Sequence, residues 1–224
     1  MTPKEKYRAE LDSMILKRKE TIVEHATGEF LKNGIEKTTM ADVAKASEVG
    51  VASLYRYFHS KTELVIQSAV QSWRIIEECM CPALLTNQYR SLSGIQQLET
   101  IGNLMVKNFD KFSERLIFIN DFESYIRKGQ ISFEQLSQYE SILTKLKPYV
   151  VQVLEKGKAD HTLRLNAPAE DTYIVLSQLL ISLVQKLAVY NNLLVDGNAL
   201  YGPKSMEPAM HMLIDWMRAD PACR

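Results

Sequence analysis

The apolar residues of this chain recur at three- and four-residue steps over almost its whole length. From Met14 to Leu31 the pattern has one gap, at Arg18 and Lys19, and this spacing predicts an amphipathic helix that Gly34 closes. The same spacing recurs in the segments 40–46, 51–58, 61–80, 95–112, 114–127, 133–156, 169–192 and 206–218. The pattern therefore predicts an all-α fold of about nine helices, without strands of useful length.

Polar residues mark the starts of the second, third and fourth predicted helices. Thr38-Thr39 supplies an N-cap for the segment 40–46, and 47–50 is a turn before the segment 51–58. Ser60 and Glu63 have the spacing of a capping box at the start of the fourth helix. Two short helices joined by a tight turn, with a longer helix before them, form the helix-turn-helix arrangement that reads DNA. We predict this motif from Thr38 to Lys61.

The two short helices have apolar faces that can pack against each other. Val43 and the small Ala44 allow a close crossing, and Leu54 and Phe58 follow at a four-residue step in the second helix. The remaining positions of the second helix carry small residues first and hydroxyl groups later. Small side chains permit close approach to base edges, and hydroxyl groups bind phosphate oxygens. These positions are Ala52, Ser53, Tyr55, Arg56 and Tyr57.

The motif resembles the N-terminal domain of the tetracycline-repressor (TetR) family of bacterial transcriptional regulators. The resemblance covers about Ile15 to Leu64, and its most specific part is the string Leu54-Tyr-x-Tyr-Phe-x-x-Lys-x-Glu-Leu64. It implies a three-helix DNA-binding domain with an N-terminal arm at 1–64, and a larger helical domain at 65–224 that binds a ligand and dimerises. It also implies a function: a DNA-binding regulator, expected to be a repressor that a small-molecule ligand releases from its operator.

The resemblance implies roles at individual positions. Val51, Ala52 and Ser53 would approach base edges, and the two tyrosines would meet phosphate or a thymine methyl group. Lys61, at a helix N-terminus, would hold a phosphate. The sequence departs from the common family pattern at Glu48, where glycine is frequent, and at Ala52, where a better hydrogen-bonding residue is frequent. The implied DNA-binding residues are Thr39, Ala41, Val51, Ala52, Ser53, Tyr55, Tyr57 and Lys61.

The charge of the chain adds little to the DNA hypothesis. Its 224 residues include 27 Lys and Arg and 27 Asp and Glu, which gives a formal net charge of zero. Because DNA-binding domains are usually basic, the hypothesis depends on pattern, and a helical interaction protein or an activator with weak DNA binding is the alternative. An all-helical enzyme is a further alternative. The sequence lacks a Gly-rich phosphate loop, a paired His-Glu metal motif and a nucleophile elbow, so we predict neither catalysis nor a cofactor.

The helices predicted at 169–192 and 206–218 are apolar on more than one face. A helix that is apolar all round must be buried all round, so one face needs a second partner. We predict a homodimer in which these two helices from each copy form the interface. Such a two-fold dimer would present its recognition helices to a near-palindromic operator. The alternative is a monomer whose own core buries both helices.

A ligand cavity is expected between the middle helices of the larger domain. Aromatic, sulfur-containing and polar residues on those helices are the candidates for its lining, although a residue of each such type is more often a plain core residue. The predicted ligand-binding residues are Met105, Phe109, Phe112, Phe122, Tyr125, Tyr139 and Gln178.

Cysteine usage and hydropathy favour a cytoplasmic protein. There are three cysteines, and neither a leader segment nor an apolar run long enough to span a bilayer is evident, so we expect no membrane association. Cys79 and Cys81 could suggest a thiol or metal sensor, but a pair without a nearby histidine is half a metal site at best. We therefore interpret them as ordinary cysteines and predict no metal site.

Overall fold

A computed structural model describes residues 2–129, 131–190, 194–195, 198–199 and 203–220 of the 224. Within these residues the chain forms ten α-helices, which confirms the predicted all-α class. The two strands are two residues each and pair Leu194 with Ala199 and Val195 with Asn198. The helices are α1 Pro3–Asn33, α2 Met40–Ala46, α3 Val51–Tyr57, α4 Lys61–Leu84, α5 Asn87–Ser91, α6 Gly94–Lys128, α7 Phe133–Thr144, α8 Lys147–Ala159, α9 Ala169–Val189 and α10 Pro203–Met217.

The chain divides into two compact units. Unit 1 comprises Met1–Ser72 and Phe118–Glu140, and unit 2 comprises Trp73–Ile117 and Ser141–Arg224. The divisions fall inside α4, α6 and α7. Unit 1 therefore differs from the predicted domain 1–64, because 65–72 and 118–140 also pack into it.

Unit 1 is built on the helix-turn-helix segment. Helix α1 packs against α2, and α2 packs against α3. Phe30 and Phe118 stack with ring centroids 6.0 Å apart, so the late part of α6 closes this core. The fully buried side chains of unit 1 include Ile22, Ala26, Phe30, Val43, Ala44, Leu54, Phe58, Leu64, Phe118 and Phe122.

The first helix begins eleven residues before the predicted start, at Pro3 rather than Met14. The expected N-terminal arm is therefore helical. Thr2 and Glu5 form a complete capping box, in which the Glu5 N–H donates to Thr2 Oγ1 and the Thr2 N–H donates to the Glu5 carboxylate. The sequence analysis missed this start although Tyr7, Leu11 and Ile15 continue the apolar spacing toward the N-terminus, because residues 3–17 are rich in charged side chains and all exposed.

Two predicted helix boundaries in the middle of the chain were wrong. The segments 95–112 and 114–127 form the single helix α6, because Ser113 continues the helix and its hydroxyl donates to the carbonyl of Asp110. The segment 133–156 forms two helices, because Pro148 occupies the first turn of α8. Proline lacks an N–H and suits the start of a helix better than its interior.

A close crossing of two helices fixes one end of unit 2. A Cβ atom added at Gly94, at the start of α6, would overlap the backbone of Gly157 in α8. The loop after α8 caps α6 there: the Gly94 N–H donates to Asp160 Oδ2 at 2.8 Å, and the Ile95 N–H donates to Thr162 Oγ1 at 3.0 Å. Glycine at position 94 lets the two backbones meet, glycine at position 157 leaves room for the Leu163 side chain, and the caps hold the helices in register.

The last two helices keep apolar side chains exposed. Val175 and Leu179 on α9 are 57% and 52% exposed, while Leu176, Val184 and Leu187 of the same helix are buried in unit 2. Met212 and Trp216 on α10 are 74% and 62% exposed. Among the described residues, α9 is also the one helix whose length and composition would allow it to cross a membrane.

Candidate nucleic-acid interface and ligand cavity

The recognition helix α3 has one buried side and one exposed side. Leu54 and Phe58 are 0% and 2% exposed and anchor the helix in the core of unit 1. The exposed side carries four of its residues, and Ser53 and Tyr57 are half-buried at its edge. Seven residues make this helix short enough to present its whole exposed side to one groove. The exposed residues are Val51, Ala52, Tyr55 and Arg56.

Helix α2 starts at a complete capping box. The Asp42 N–H donates to Thr39 Oγ1 at 3.2 Å, and the Thr39 N–H donates to Asp42 Oδ2 at 2.8 Å. Hydrogen bonds from the Thr39 side chain and backbone lower the pKa of the Asp42 carboxyl, which keeps it ionised. Thr39 and Ala41 are both exposed, as a DNA contact requires. The hydroxyl of Thr39, however, is already hydrogen-bonded to Asp42 within this cap.

The turn between α2 and α3 places a non-glycine residue in a left-handed conformation. Glu48 has φ of 53°, which explains why glycine would suit this position. Arg18 Nη2 of α1 donates to the carbonyls of Ser47 and Glu48 at 3.4 and 3.3 Å. A charged donor from the neighbouring helix therefore holds the turn that sets the angle between α2 and α3.

Lys61 has a structural contact in addition to its predicted role. Its Nζ donates to the carbonyl of Glu36 at 2.9 Å, which ties the start of α4 to the α1–α2 loop. Burial lowers the pKa of this ammonium, and the charge of Glu36 partly offsets the effect. The phosphate contact predicted for Lys61 stays a prediction, as do the other DNA contacts.

Three basic residues shape this surface although the sequence analysis assigned none of them to DNA binding. Arg56 is exposed on α3, and its Nη2 donates to Ser53 Oγ at 2.9 Å. Lys19 Nζ lies 5.6 Å from the centroid of the Phe58 ring, and Arg18 holds the turn. The signal for Arg18 and Lys19 was the gap in the apolar pattern of the first helix. The signal for Arg56 was its four-residue spacing from Ala52.

Unit 2 contains an elongated cavity of about 890 Å³. Its volume lies in the range that holds drug-sized ligands. Helices α4, α6, α8, α9 and α10 supply most of its wall, and residues of α5 and α7 complete it. Central lining residues are Met80, Ile101, Gly102, Val150, Leu180 and Ile214.

Two of the seven residues predicted to bind ligand line this cavity, namely Met105 and Phe112. Phe109 is 1% exposed and packs in the adjacent core, and Gln178 is exposed on α9. The other three predicted residues belong to unit 1: Phe122 and Tyr125 lie on the part of α6 beyond residue 117, and Tyr139 lies on α7. Of these, Phe122 and Tyr139 form an edge-to-face pair at 4.7 Å, and the Tyr125 hydroxyl lies 3.3 Å from Thr62 Oγ1.

The charged side chains of the cavity wall come together at one end. Arg90, Glu155 and Lys156 line the wall, and Lys156 Nζ donates to the carbonyl of Arg90 at 2.8 Å. Gln97 Nε2 donates to the carbonyls of Tyr89 and Arg90 at 3.1 and 3.3 Å. Burial raises the pKa of the Tyr89 phenol to about 12, so it stays neutral in this wall.

Cys81 lies beside an ion pair rather than in a reactive setting. Its Sγ donates to Glu77 Oε1 at 3.7 Å, and Glu77 Oε1 also binds Lys145 Nζ at 2.7 Å. Burial first, and then the charge of Glu77, raise the pKa of the Cys81 thiol, which disfavours the nucleophilic thiolate. No group of three or more potential metal ligands occurs in the described residues, and Cys223 lies outside them.

The comparisons with known proteins match the helix-turn-helix part of the chain. A family model described as "Bacterial regulatory proteins, tetR family" matches residues 22–67, which contain α2, α3 and the start of α4. This segment of the chain is therefore similar to the DNA-binding domain of the TetR family. The residues that the resemblance rested on, Thr38 to Leu64, lie inside this match, so the recognition made from the sequence is confirmed.

Two curated relatives share part of their length with this chain. It is 32% identical over 107 residues to the uncharacterized HTH-type transcriptional regulator YhgD of Bacillus subtilis, covering 45% of this chain and 56% of that protein. It is 37% identical over 49 residues to the probable acrEF/envCD operon repressor of Escherichia coli (strain K12), covering 22% of each chain. The matched part thus spans about half of the first relative and less of the second.

The fold similarity extends over nearly the whole chain. The structure of AibR in complex with isovaleryl coenzyme A and operator DNA superposes with a TM-score of 0.61 at 13% identity, covering 90% of this chain and 98% of AibR. A TetR family regulator from Agrobacterium tumefaciens superposes with a TM-score of 0.64 at 15% identity, covering 92% and 100%. Since the identities are low, these matches show the TetR fold: an N-terminal helix-turn-helix domain followed by a helical domain.

Proposed function

We propose that this protein is a sequence-specific DNA-binding transcriptional regulator of the TetR family that uses α3 as its recognition helix. The observation that carries the proposal is the exposed side of α3, held by buried Leu54 and Phe58 inside the segment that the family model matches. An α-helix fits the major groove, and a bracing helix joined by a tight turn fixes its angle. Such a protein would act in the bacterial cytoplasm.

The exposed side of α3 determines how the sequence would be read. Val51 and Ala52 are apolar and short, and they suit thymine methyl groups and close approach to base edges. Arg56 is the one cation on α3 and lies at its exposed surface. We assign it a contact with guanine or phosphate, which adds a charge-assisted hydrogen bond to a surface otherwise poor in donors.

We propose that the protein forms a homodimer through α9 and α10. Val175 with Leu179, and Met212 with Trp216, are exposed apolar pairs at four-residue steps on the two helices. A second copy would bury these faces and bring two recognition helices to a near-palindromic operator. Residues 191–192 of the first predicted interface segment lie outside the described residues. A membrane-spanning role for α9 predicts instead that the protein sediments with membranes.

We further propose that a small molecule bound in the cavity of unit 2 releases the protein from its operator, as expected of a repressor. The cavity supplies a second binding site, which ligand control requires. A ligand that favours one dimer arrangement over another by about 1 to 3 kcal/mol would change operator affinity 5- to 150-fold. We assign effector binding and dimerisation to 65–224 and DNA binding to 1–64, and we propose binding rather than catalysis as the activity.

A gel-shift assay with matched variants tests the recognition helix. Arg56→Ala should weaken binding to the preferred duplex about tenfold, because it removes the one cation of α3. Lys32→Ala is the control, because Lys32 is exposed on α1 and lies about 21 Å along that helix from Arg18, which contacts the turn. Equal affinity of the two variants would exclude α3 as the reading element. The interaction-protein alternative predicts weak binding by all three proteins and no preferred duplex.

A further inference from the structure

The cavity of unit 2 is elongated along two of its helices. On α6 its lining runs from Gln97 to Phe112, and on α8 it runs from Leu146 to Ala159. At 1.5 Å per residue each of these runs is about 20 Å long. A molecule that fills the cavity is therefore long and narrow.

The walls of the cavity on α4, α6, α9 and α10 are mainly apolar, and their polar side chains are those of Gln97, Tyr173 and Ser177. None of the described lining residues on α4, α6, α9 and α10 is charged. The Gln97 amide already donates to backbone carbonyls, and Ser177 Oγ donates to the carbonyl of Ile174 at 3.0 Å. Away from the Tyr173 hydroxyl, a polar substituent along the body of a ligand would lose its water without gaining a partner. The body of the occupant must be apolar.

The Gln97 end of the cavity has the opposite character. The three charged lining residues lie here, and two of them, Arg90 and Lys156, are cations while Glu155 is the one anion. The Gln97 amide and the Lys156 ammonium both donate to the carbonyl of Arg90, which holds the Arg90 backbone and the Lys156 side chain at this end. The nearby crossing of Gly94 and Gly157 holds α6 and α8 together at this end. An anionic group is favoured here over a cationic one.

We infer that the cavity binds an amphiphile with one long apolar chain and one anionic end group, of the class of fatty carboxylates. The chain lies along α6 toward Phe112, and the anionic group lies at Arg90 and Lys156. This inference rests on the proposed function and names the class of its effector.

Isothermal titration calorimetry with four probes tests the ligand class on the full chain. Dodecanoate, below its micellar concentration, should bind at least about 100-fold more tightly than butyrate, because it buries eight more methylene groups. It should bind about fivefold more tightly than dodecyltrimethylammonium, with dodecanol between them. Equal affinity for the cationic and anionic probes, or equal affinity for the short and long chains, would overturn the inference.

Variants separate the two ends of the site. The double variant Arg90→Gln/Lys156→Gln should lose the preference for dodecanoate over dodecanol and still bind dodecanol, which also shows that it is folded. Lys158→Gln is its control, because Lys158 is exposed on α8 and does not line the cavity. Ile101→Trp should weaken dodecanoate binding about tenfold or more by filling the channel, whereas Asn103→Trp, at an exposed position of the same helix, should not. Unchanged binding in both test variants would place the probe elsewhere and overturn the inference.

A gel shift with the same protein separates this inference from the proposed function. If the protein binds a preferred duplex but none of the long-chain probes, the ligand class is wrong and the DNA function stands. If it binds dodecanoate as described but no duplex, the DNA function is wrong and the cavity assignment stands.

Discussion

The recognition surface of unit 1 and the cavity of unit 2 are built in different ways. The residues assigned to DNA binding lie within one short stretch, from Thr39 to Lys61, and local caps and a tight turn fix their geometry. The residues that line the cavity run from Ile76 to Met217 and come from seven helices. The first surface depends mainly on local caps and a turn, to which Arg18 and Lys61 add contacts over 30 and 25 residues, and the second depends on how distant helices cross. Substitutions in the recognition surface and at the helix crossings of unit 2 should therefore differ in how strongly they change the free energy of unfolding.

The glycine crossing in unit 2 should give the largest effect. Gly94→Ala places a Cβ atom inside the backbone of Gly157, which cannot move without displacing α8, so we expect a loss of about 3 kcal/mol or more in the free energy of unfolding. Urea unfolding, monitored by circular dichroism, measures this loss.

The matched control for the glycine crossing lies in unit 1. Gly28 is an exposed position inside α1, and a Cβ atom added there would meet no other atom within 4 Å. Gly28→Ala should therefore raise the free energy of unfolding by about 0.5 to 1 kcal/mol, because alanine favours the helix over glycine. An equal loss in the free energy of unfolding for Gly94→Ala and Gly28→Ala would show that the close crossing of α6 and α8 is not what makes the first substitution costly.

The cap of α2 should give the next largest effect on stability. Thr39→Ala removes the oxygen that accepts from the Asp42 N–H, and the loss of such a cap costs about 1 kcal/mol. Thermal unfolding measures this loss. Thr21→Ala is the control, because the Thr21 hydroxyl donates to a carbonyl within α1 and caps no helix. Equal losses in both variants would show that the cap does not set the stability of the motif.

These local features explain why the sequence predicted unit 1 well. Thr39, Ser60, Leu54 and Phe58 act on residues three or four positions away, and such spacing is visible in a single sequence. Arg18 shows where this reasoning fails. It interrupts the apolar pattern of α1 because its partner is the turn near Glu48, about 30 residues later, and no local period reveals such a contact.

The sequence predicted the residues that line the cavity less well than those of the recognition surface, for the same reason. Phe122 and Tyr139 have the composition expected of a ligand site, yet they pack against each other in unit 1. Predicting their position required knowing that α6 continues unbroken through Ser113 to Phe122 and that Tyr139 of α7 packs against it. Leu180 and Ile214, which do line the cavity, have nothing local that separates them from core residues.

A substitution at Glu48 should relieve the backbone strain in the turn between α2 and α3 of unit 1. Glu48→Gly places glycine at φ of 53°, where a side chain costs about 1 kcal/mol, and should raise the free energy of unfolding by somewhat less than that. Differential scanning calorimetry measures the shift in Tm. A decrease would show that the Glu48 side chain contributes more than its backbone conformation costs.

The cap in unit 2 should give the smallest effect, and it should depend on pH. Burial opposes ionisation of Asp160, but hydrogen bonds from Thr162 and Gly94 prevail and lower the pKa of its carboxyl below 3.8. Asp160 therefore stabilises the fold above the pKa of the unfolded chain, and this contribution is lost as pH falls through the lower folded pKa. The difference in free energy of unfolding between the parent and Asp160→Asn should shrink as pH falls from neutral to below the pKa of Asp160 in the folded protein. A difference that grows on acidification would contradict this sign.

The central claim is that α3 reads DNA sequence, and selection from a pool of random duplexes at physiological salt tests it most directly. We expect enrichment of a near-palindrome whose half-sites are about one helical turn apart or somewhat more, with an affinity that falls linearly with the logarithm of salt concentration. A pool that shows no enrichment above nonspecific binding at that salt would contradict the claim.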